Sequence, residues 1–517
     1  MINIYFIKLF LALLFLPSIL FCQNQTVGLF QYDSDAYNGY TLFSPDEGTY
    51  LIDNCGKLTH SWQSNFNTGN SVYLLDDGSL LRTCRIQSTT FSGGGSGGRV
   101  EKRDWNNNLL WSYNFSNSTY HQHHDIEPLP NGNILILCWE RKSFLEAINS
   151  GRDSSAIIDD ELWSTYILEI EPIGSNSINI VWEWRLWDHL VQEFDSTKNN
   201  YGSVGDHPEL LDINFYTGNG RKDWLHCNSI DYNENLDQII ISSRKLSEIY
   251  IIDHSTTTNE AAGHYGGISG KGGDLLYRWG NPKSYKNGTI SDQKLFGQHD
   301  AHWISEDFKD GGKIMIFNNG QGRLYSSIDI ISPTIDINGD YVINNNTFSP
   351  DSAEWSYTDP NPQDFYSSYI SGCQRLPNGN TLICDGAHGT FFEIDSLNNI
   401  VWKYINPIIN TGPIAQGDSI PSSNNGWGNA TFRCTRYSPS FTGFIGKDLT
   451  PISEIEINPL PSNCEMTLSL SNKLETEEKK LLYITDILGK KIDTVKKNML
   501  LLYIYSNGYI EKKIVID

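Results

Sequence analysis

Apolar and polar positions alternate in short runs through most of the chain, and the runs return in the same order. One half of the unit is a turn followed by an apolar strand: "LLDDGSLLRT" from Leu74, "LPNGNILILC" from Leu129, "ENLDQIIISS" from Glu234, "DGGKIMIF" from Asp310 and "LPNGNTLIC" from Leu376. Their Asn-Gly and Asp-Gly pairs supply the positive φ angles that hairpin turns need. The other half is a strand, a turn and a strand ending in tryptophan, as in "LIDNCGKLTHSW", "VEKRDWNNNLLW" and "FEIDSLNNIVW". Trp62, Trp111, Trp182, Trp279, Trp355 and Trp402 mark these endings, at spacings of 49, 71, 97, 76 and 47 residues. The shortest spacings fit one four-stranded propeller blade and the longer ones imply insertions. The pattern predicts an all-β chain, a six-bladed β-propeller with loop insertions.

One insertion, Arg185 to Trp224, is polar and irregular, with the density of Asp, His and aromatics expected of a loop covering one face of the propeller. After Pro451 the repeat stops. Residues 451–517 carry short alternating strands and many lysines, which predicts a separate, small β-sandwich-like domain. At the other end, "MINIYFIKLFLALLFLPSILFC" has one lysine and then a short apolar run, the form of a secretory signal peptide. The expected divisions are therefore 1–22 signal peptide, 23–450 propeller and 451–517 C-terminal domain. The expected location is outside the cell or on its surface, and no further apolar run is long enough for a transmembrane segment.

Composition narrows the partners. A formal charge of −23 excludes nucleic acid, because phosphate backbones are held mainly by Lys and Arg. It also repels small anions at long range, so a site that binds one must be locally positive. Beyond Cys22 the cysteines are scattered with no C-x-x-C pair, which argues against a zinc ribbon or a thioredoxin-type motif. Cys138 and Cys384 end apolar strands and read as small buried hydrophobes.

The innermost strands of a propeller line one channel, so residues at equivalent repeat positions converge there. His124 lies five residues before Leu129, and His299 five before Ile304, each just ahead of its own turn. His226 is the third such histidine, and Arg244 ends the strand that follows it. Three imidazoles and a guanidinium make a small anion-binding site. The rival reading of "HQHHD" and "HDAH" as metal ligands meets the parity of a strand. His299 and His302 point to opposite faces of a regular strand, as do His124 and its neighbours at His121 and His123, so no metal is expected. Arg323, in "NNGQGRLYS", is a further candidate for substrate contact, whereas Asp300 reads as structural and His388 as a turn residue.

The stretches "HHDIEPLPNGN", "DWLHCNSID", "SSRKLSEIYIID", "LFGQHDAHWI", "FNNGQGR" and "QRLPNGNTLICDG" resemble the arylsulfate sulfotransferase family, exported enzymes that need no nucleotide sulfate donor. The resemblance implies a six-bladed propeller, no cofactor, an aryl sulfate donor and a phenolic acceptor. It implies that His299 is transiently sulfurylated, with ping-pong kinetics, and that His226, Asn228 and Arg244 hold the sulfuryl oxygens. The remaining family histidine falls in "HQHHD", where repeat register favours His124 over His123. Two other activities stay open at this point: a propeller that binds a sulfated ligand without turnover, and a hydrolase that passes the group to water. Through "NPLPSN", "YITDILGKKI" and "KKIVID", the last 65 or so residues resemble the C-terminal sorting domain of the type IX secretion system of Bacteroidetes, which implies that machinery as a partner.

Overall fold

The computed structural model describes residues 24–215, 221–423, 426–462, 464, 481–486, 490–492, 500–505 and 510–514; the expected signal peptide lies outside them. Six antiparallel sheets form the blades of a β-propeller. From inside outward, blade 2 runs Thr68–Leu74, Leu80–Arg85, Gly98–Arg103 and Leu109–Asn114, and blade 3 runs Tyr120–Pro128, Ile134–Ser143, Glu161–Ile173 and Ser177–Arg185. Blade 4 begins with Cys227–Asn233, blade 5 with His299–Trp303 and blade 6 with Gly372–Arg375. The ring closes twice. Gly28–Tyr32 from the N-terminal side adds an outer strand to blade 6, and Cys434–Tyr437 from the far end supplies the innermost strand of blade 1, beside Tyr40–Phe43. Each of the five Gly- or Asp-rich turns noted above joins the first and second strands of a blade, as the repeat requires.

The six repeat tryptophans all lie on fourth strands, and each reaches the next blade. The indole N–H groups of Trp62, Trp111, Trp279 and Trp402 donate to the carbonyls of Asp104, Ser177, Pro350 and Asn54 at 2.7–3.0 Å. Trp182 donates to the Thr256 hydroxyl at 3.1 Å, and the Trp355 ring lies under the Arg375 guanidinium of blade 6 at 5.2 Å. A large apolar body with one polar handle suits this place, since it fills the wedge between twisted sheets and still satisfies its N–H.

At the axis the blades meet on buried charge. Arg433, just before the inner strand of blade 1, donates to Asp125 of blade 3 at 2.7 Å, and its Nε lies 2.8 Å from Asp300 of blade 5, an ion pair without hydrogen-bond geometry. Tyr73 of blade 2 donates to Asp125 at 2.9 Å, and Cys373 N–H of blade 6 to Asp300 at 2.8 Å. The Ile230 N–H of blade 4 is 3.4 Å from Asp125. All six inner strands touch this network. Asp300 is thus structural, as its sequence context suggested.

The 186–215 insertion is less polar than its sequence reads. Leu186, Leu190, Leu211 and Ile213 are buried against blades 3 and 4, and Leu190–Val191 pairs in parallel with Leu211–Asp212. Ser453–Glu454 lies past the expected domain limit, yet it pairs with Leu58 and Lys57 at the edge of blade 1, and the compact units divide between Leu460 and Pro461. The second unit holds a three-stranded antiparallel sheet of Leu481–Asp486, Leu500–Tyr505 and Ile510–Ile514. Cys138 and Cys384 are buried free thiols. Among the described residues no helix is long and apolar enough to cross a membrane.

Replacing Arg433 leaves Asp125 and Asp300 buried without their cation, so Arg433→Met should cost ~3–5 kcal/mol, the range for breaking one side of a buried ion pair. The midpoint of urea denaturation measures this, and a midpoint equal to that of the parent would remove the network from the account of stability.

Candidate active site

The inner strands are not regular, and that irregularity builds the site. Opposite Leu137, the innermost strand of blade 3 carries an extra stretch between Gln122 and Ile126, with His124 at φ 52°. Blade 5 has a bulge between His299 and His302, with Asp300 at φ 53°, and blade 4 has one at Asn228, two residues after His226, which itself turns into the strand at φ 51°. Such bulges re-aim side chains that strict alternation would separate. Counted from the last pair before each turn, His124 lies four residues ahead of Pro128 and His299 four ahead of Trp303, the register read off the repeats, whereas His226 lies seven ahead of Asn233. The parity argument also fails here. His299 lines one cavity on the axis, and His302 lines a second, smaller one bounded by residues of all six inner strands, among them Tyr73, Glu127, Asp231 and Gln374. Both histidines reach the axis, in different cavities.

The larger cavity, about 790 Å³, is lined by His124, His226, Arg244 and His299, with Trp163, Tyr369 and Phe432 as aromatic walls. Four of the predicted residues are thus brought together. His299 is 2% exposed, and its Nδ1 lies 2.7 Å from Asn319 Oδ1. The amide of Asn319 is oriented by donation from its Nδ2 to the Ser367 and Ile370 carbonyls at 2.8 and 2.9 Å. An oxygen can only accept, so His299 carries its proton on Nδ1 and keeps a lone pair on Nε2. Burial, then the Arg244 charge, outweigh the Asn319 bond and hold the imidazole well below its usual pKa. It is neutral at pH 7.

The other groups complete the charge pattern. Among the described residues no hydrogen bond or ion pair occupies the Arg244 guanidinium side chain. His226 Nδ1 is 2.5 Å from Asp223, whose carboxyl burial would raise but whose pKa His226, Lys245 and His123 hold well below the usual range. The His124 ring packs edge-on to His226 with centroids 4.6 Å apart, and burial, with its histidine neighbours and Arg244, keeps it neutral. Arg85, Arg221 and Lys245 add positive charge around the cavity. A locally positive site in an acidic protein is what an anionic substrate demands.

Three predicted contacts fall elsewhere. His123 does not line the cavity; it is buried behind His124, Nδ1 to Nδ1 at 2.8 Å, and stacked on Trp139. Asn228, also buried, donates to the Gln298 carbonyl at 2.7 Å and so braces the backbone beside His299. Arg323 bonds the Tyr325 carbonyl and the Ser327 hydroxyl outside the cavity lining. The sequence reading in turn passed over Asp223, visible three residues before His226, and Asn319, twenty residues after His299 with no local signal. It also passed over "GGG" at Gly93 to Gly95. Gly95, at φ 79°, accepts from His124 N–H at 2.7 Å, and a Cβ there would lie 2.1 Å from the His124 ring.

The arylsulfotransferase (ASST) family profile matches residues 29–414. The chain belongs to that family. Membership supports aryl sulfotransfer as its general chemistry, a sulfotransferase as its enzyme class and small molecules as its substrates. No curated protein matches the chain. Among solved structures, a Bacteroides caccae protein of unknown function is similar at 10% identity and TM-score 0.41, over 77% of this chain and 98% of that one. A catalytically inactive virginiamycin B lyase from Staphylococcus aureus shows 10% identity and TM-score 0.34, over 75% and 91%. A putative 6-phosphogluconolactonase from Bacteroides fragilis shows 10% and 0.35, over 78% and 99%.

Two outcomes follow from this geometry. In ¹⁵N-histidine NMR, His299 of this arylsulfotransferase-family protein should hold the Nδ1–H tautomer and stay neutral as the pH falls through ~6.5, the ordinary imidazole pKa; a resonance titrating at ~6.5 would exclude it. Gly95→Ala should displace His124 and lower kcat/KM for an aryl sulfate by about 10²-fold, the scale for an ångström of misplacement. Unchanged kinetics would show that the ring has room to move.

Proposed function

We propose that the protein moves a sulfuryl group from a phenolic sulfate ester to a phenolic acceptor through a sulfohistidine at His299. The observation that carries this is the neutral His299 Nε2 in a cavity it shares with Arg244, whose guanidinium no hydrogen bond or ion pair occupies among the described residues. In the first displacement the Nε2 lone pair attacks sulfur, the N–S bond forms and the S–O bond to the aryl group breaks. Charge on the sulfuryl oxygens is met by Arg244 and by the imidazole of His124. The departing phenolate takes a proton from Nε2 of His226, whose ring is oriented by Asp223 in the manner of a His–Asp pair.

Sulfurylation leaves His299 protonated at Nδ1 and joined to SO₃ at Nε2. Asn319 stabilises that N–H, so the ring stays cationic and a good leaving group. In the second displacement His226 takes the acceptor's proton, the phenol oxygen attacks sulfur, and the N–S bond breaks to restore neutral His299. Two displacements through one covalent intermediate give ping-pong kinetics. Trp163, Tyr369 and Phe432 supply faces on which an aryl ring can lie. The signal-like residues 1–22 and the C-terminal resemblance support export and delivery to the surface by the type IX machinery.

Release of 4-nitrophenol from 4-nitrophenyl sulfate tests the reading. Release should rise with added phenol, the protein should gain the mass of SO₃ at His299 when donor is supplied alone, and His299→Ala should abolish both. Release indifferent to phenol would make the protein a hydrolase. Binding of the ester without release would make it a binding propeller.

A further inference from the structure

Outside both histidine clusters, three side chains converge where the 186–215 insertion meets blade 4. His189 follows the outer strand of blade 3, whereas His264 and Asp274 lie in the connection between strands Glu248–Asp253 and Tyr277–Trp279. The Nδ1 atoms of both rings lie 2.8 Å from the same oxygen, Oδ1 of Asp274, and all three ligand atoms fall within 4.8 Å of one another. His189 and Asp274 are buried, and the His264 side chain is about half exposed at 52%.

The tautomer of His189 gives this cluster its meaning. Its Nε2 is 2.9 Å from the Ala261 carbonyl, which can only accept, so Nε2 carries a proton. In the neutral ring Nδ1 then presents a lone pair to a carboxylate oxygen at 2.8 Å, and two lone pairs repel. A cation between them removes the conflict. A ring whose far nitrogen donates to a backbone carbonyl while the near one is free is also the usual state of a metal-ligating histidine. The pocket holds that ring firmly: Trp184 stacks on it at 5.7 Å, and a Cβ on Gly273 would lie 2.0 Å from the Ala261 carbonyl and 2.6 Å from His189 Nε2.

We propose that His189, His264 and Asp274 bind a divalent transition cation of the zinc class. Two imidazoles and a carboxylate are ligands such ions accept, at about 2.0–2.2 Å each, with the fourth tetrahedral position open to water. Ligand atoms around a tetrahedral ion stand ~3.3 Å apart at those bond lengths, so the 2.8 Å contacts need only open slightly. The ion ties the insertion to the connection of blade 4. Arg221 to Asp223, at the end of the same Arg185–Trp224 insertion, line the active-site cavity. The role is structural, at a distance from the sulfuryl chemistry, and stands independently of the function proposed above.

The test uses the full chain, stripped with a chelator and dialysed against Zn²⁺. The protein and His299→Ala should each retain one zinc per chain by elemental analysis, and zinc should raise the melting temperature by a few degrees. His264→Gln, altered at a half-exposed ring, and Asp274→Asn should each weaken retention by at least about tenfold, a loss already seen when only an outer-shell partner is removed. Zinc lost from His299→Ala but kept by His264→Gln would place the ion in the active site and overturn the proposal. No retained zinc and an unchanged melting temperature would overturn it too, leaving a histidine–carboxylate contact between His189 and Asp274 with no ion.

Discussion

Arg433 between Asp125 and Asp300 is the interaction on which the rest of this propeller depends. Each of these groups alone is costly to bury, and an ion pair in the interior is tolerated only when its remaining lone pairs and protons are met. Here the carboxylate lone pairs are met by Tyr73 and by the backbone N–H groups of Ile230 and Cys373, so residues from all six blades contribute to one polar knot. The knot has a chemical consequence as well. Asp300 and Arg433 border the smaller cavity with Glu127, Asp231 and His302, whereas the three site imidazoles and Arg244 line the larger one. Burial raises the Asp231 and Glu127 carboxyls in the former, and lowers His124 and His299 in the latter.

The larger cavity works against the protein's overall field. A chain of charge −23 gathers Arg85, Arg221, Arg244 and Lys245 around three histidines. Neutral imidazoles matter here as much as cations. In the proposed reaction a protonated His299 could not attack sulfur, and the neighbouring arginine proposed to hold the sulfuryl oxygens also disfavours that protonation. One guanidinium would thereby serve both nucleophile and electrophile, and Asn319 leaves the lone pair on His299 Nε2.

Much of this was legible along the chain. The tryptophan endings and Asn-Gly turns identified the blades because each blade repeats the same local problem: a tight turn between inner strands and a polar-tipped wedge at the outer edge. The histidines converged for the same reason, since equivalent strand positions share one axis. Register was harder. The bulges at His124, Asn228 and Asp300 break the alternation of strands whose sequence shows no glycine there, so alternation misjudged the direction of His302.

The sequence alone determined the architecture and the cluster of histidines with Arg244, because these follow from local patterning and from residue types repeated at fixed places, and the nucleophile role of His299 came from the family resemblance. Only the tertiary structure decided which groups touch. Asn319 reaches His299 from the end of the neighbouring strand, Gly95 opens space for His124 from another blade, and His123, Asn228 and Arg323 are turned away from the larger cavity. Contacts between blades depend on how twisted sheets pack and where bulges fall, and no periodicity along one strand records the position of its neighbour's side chains.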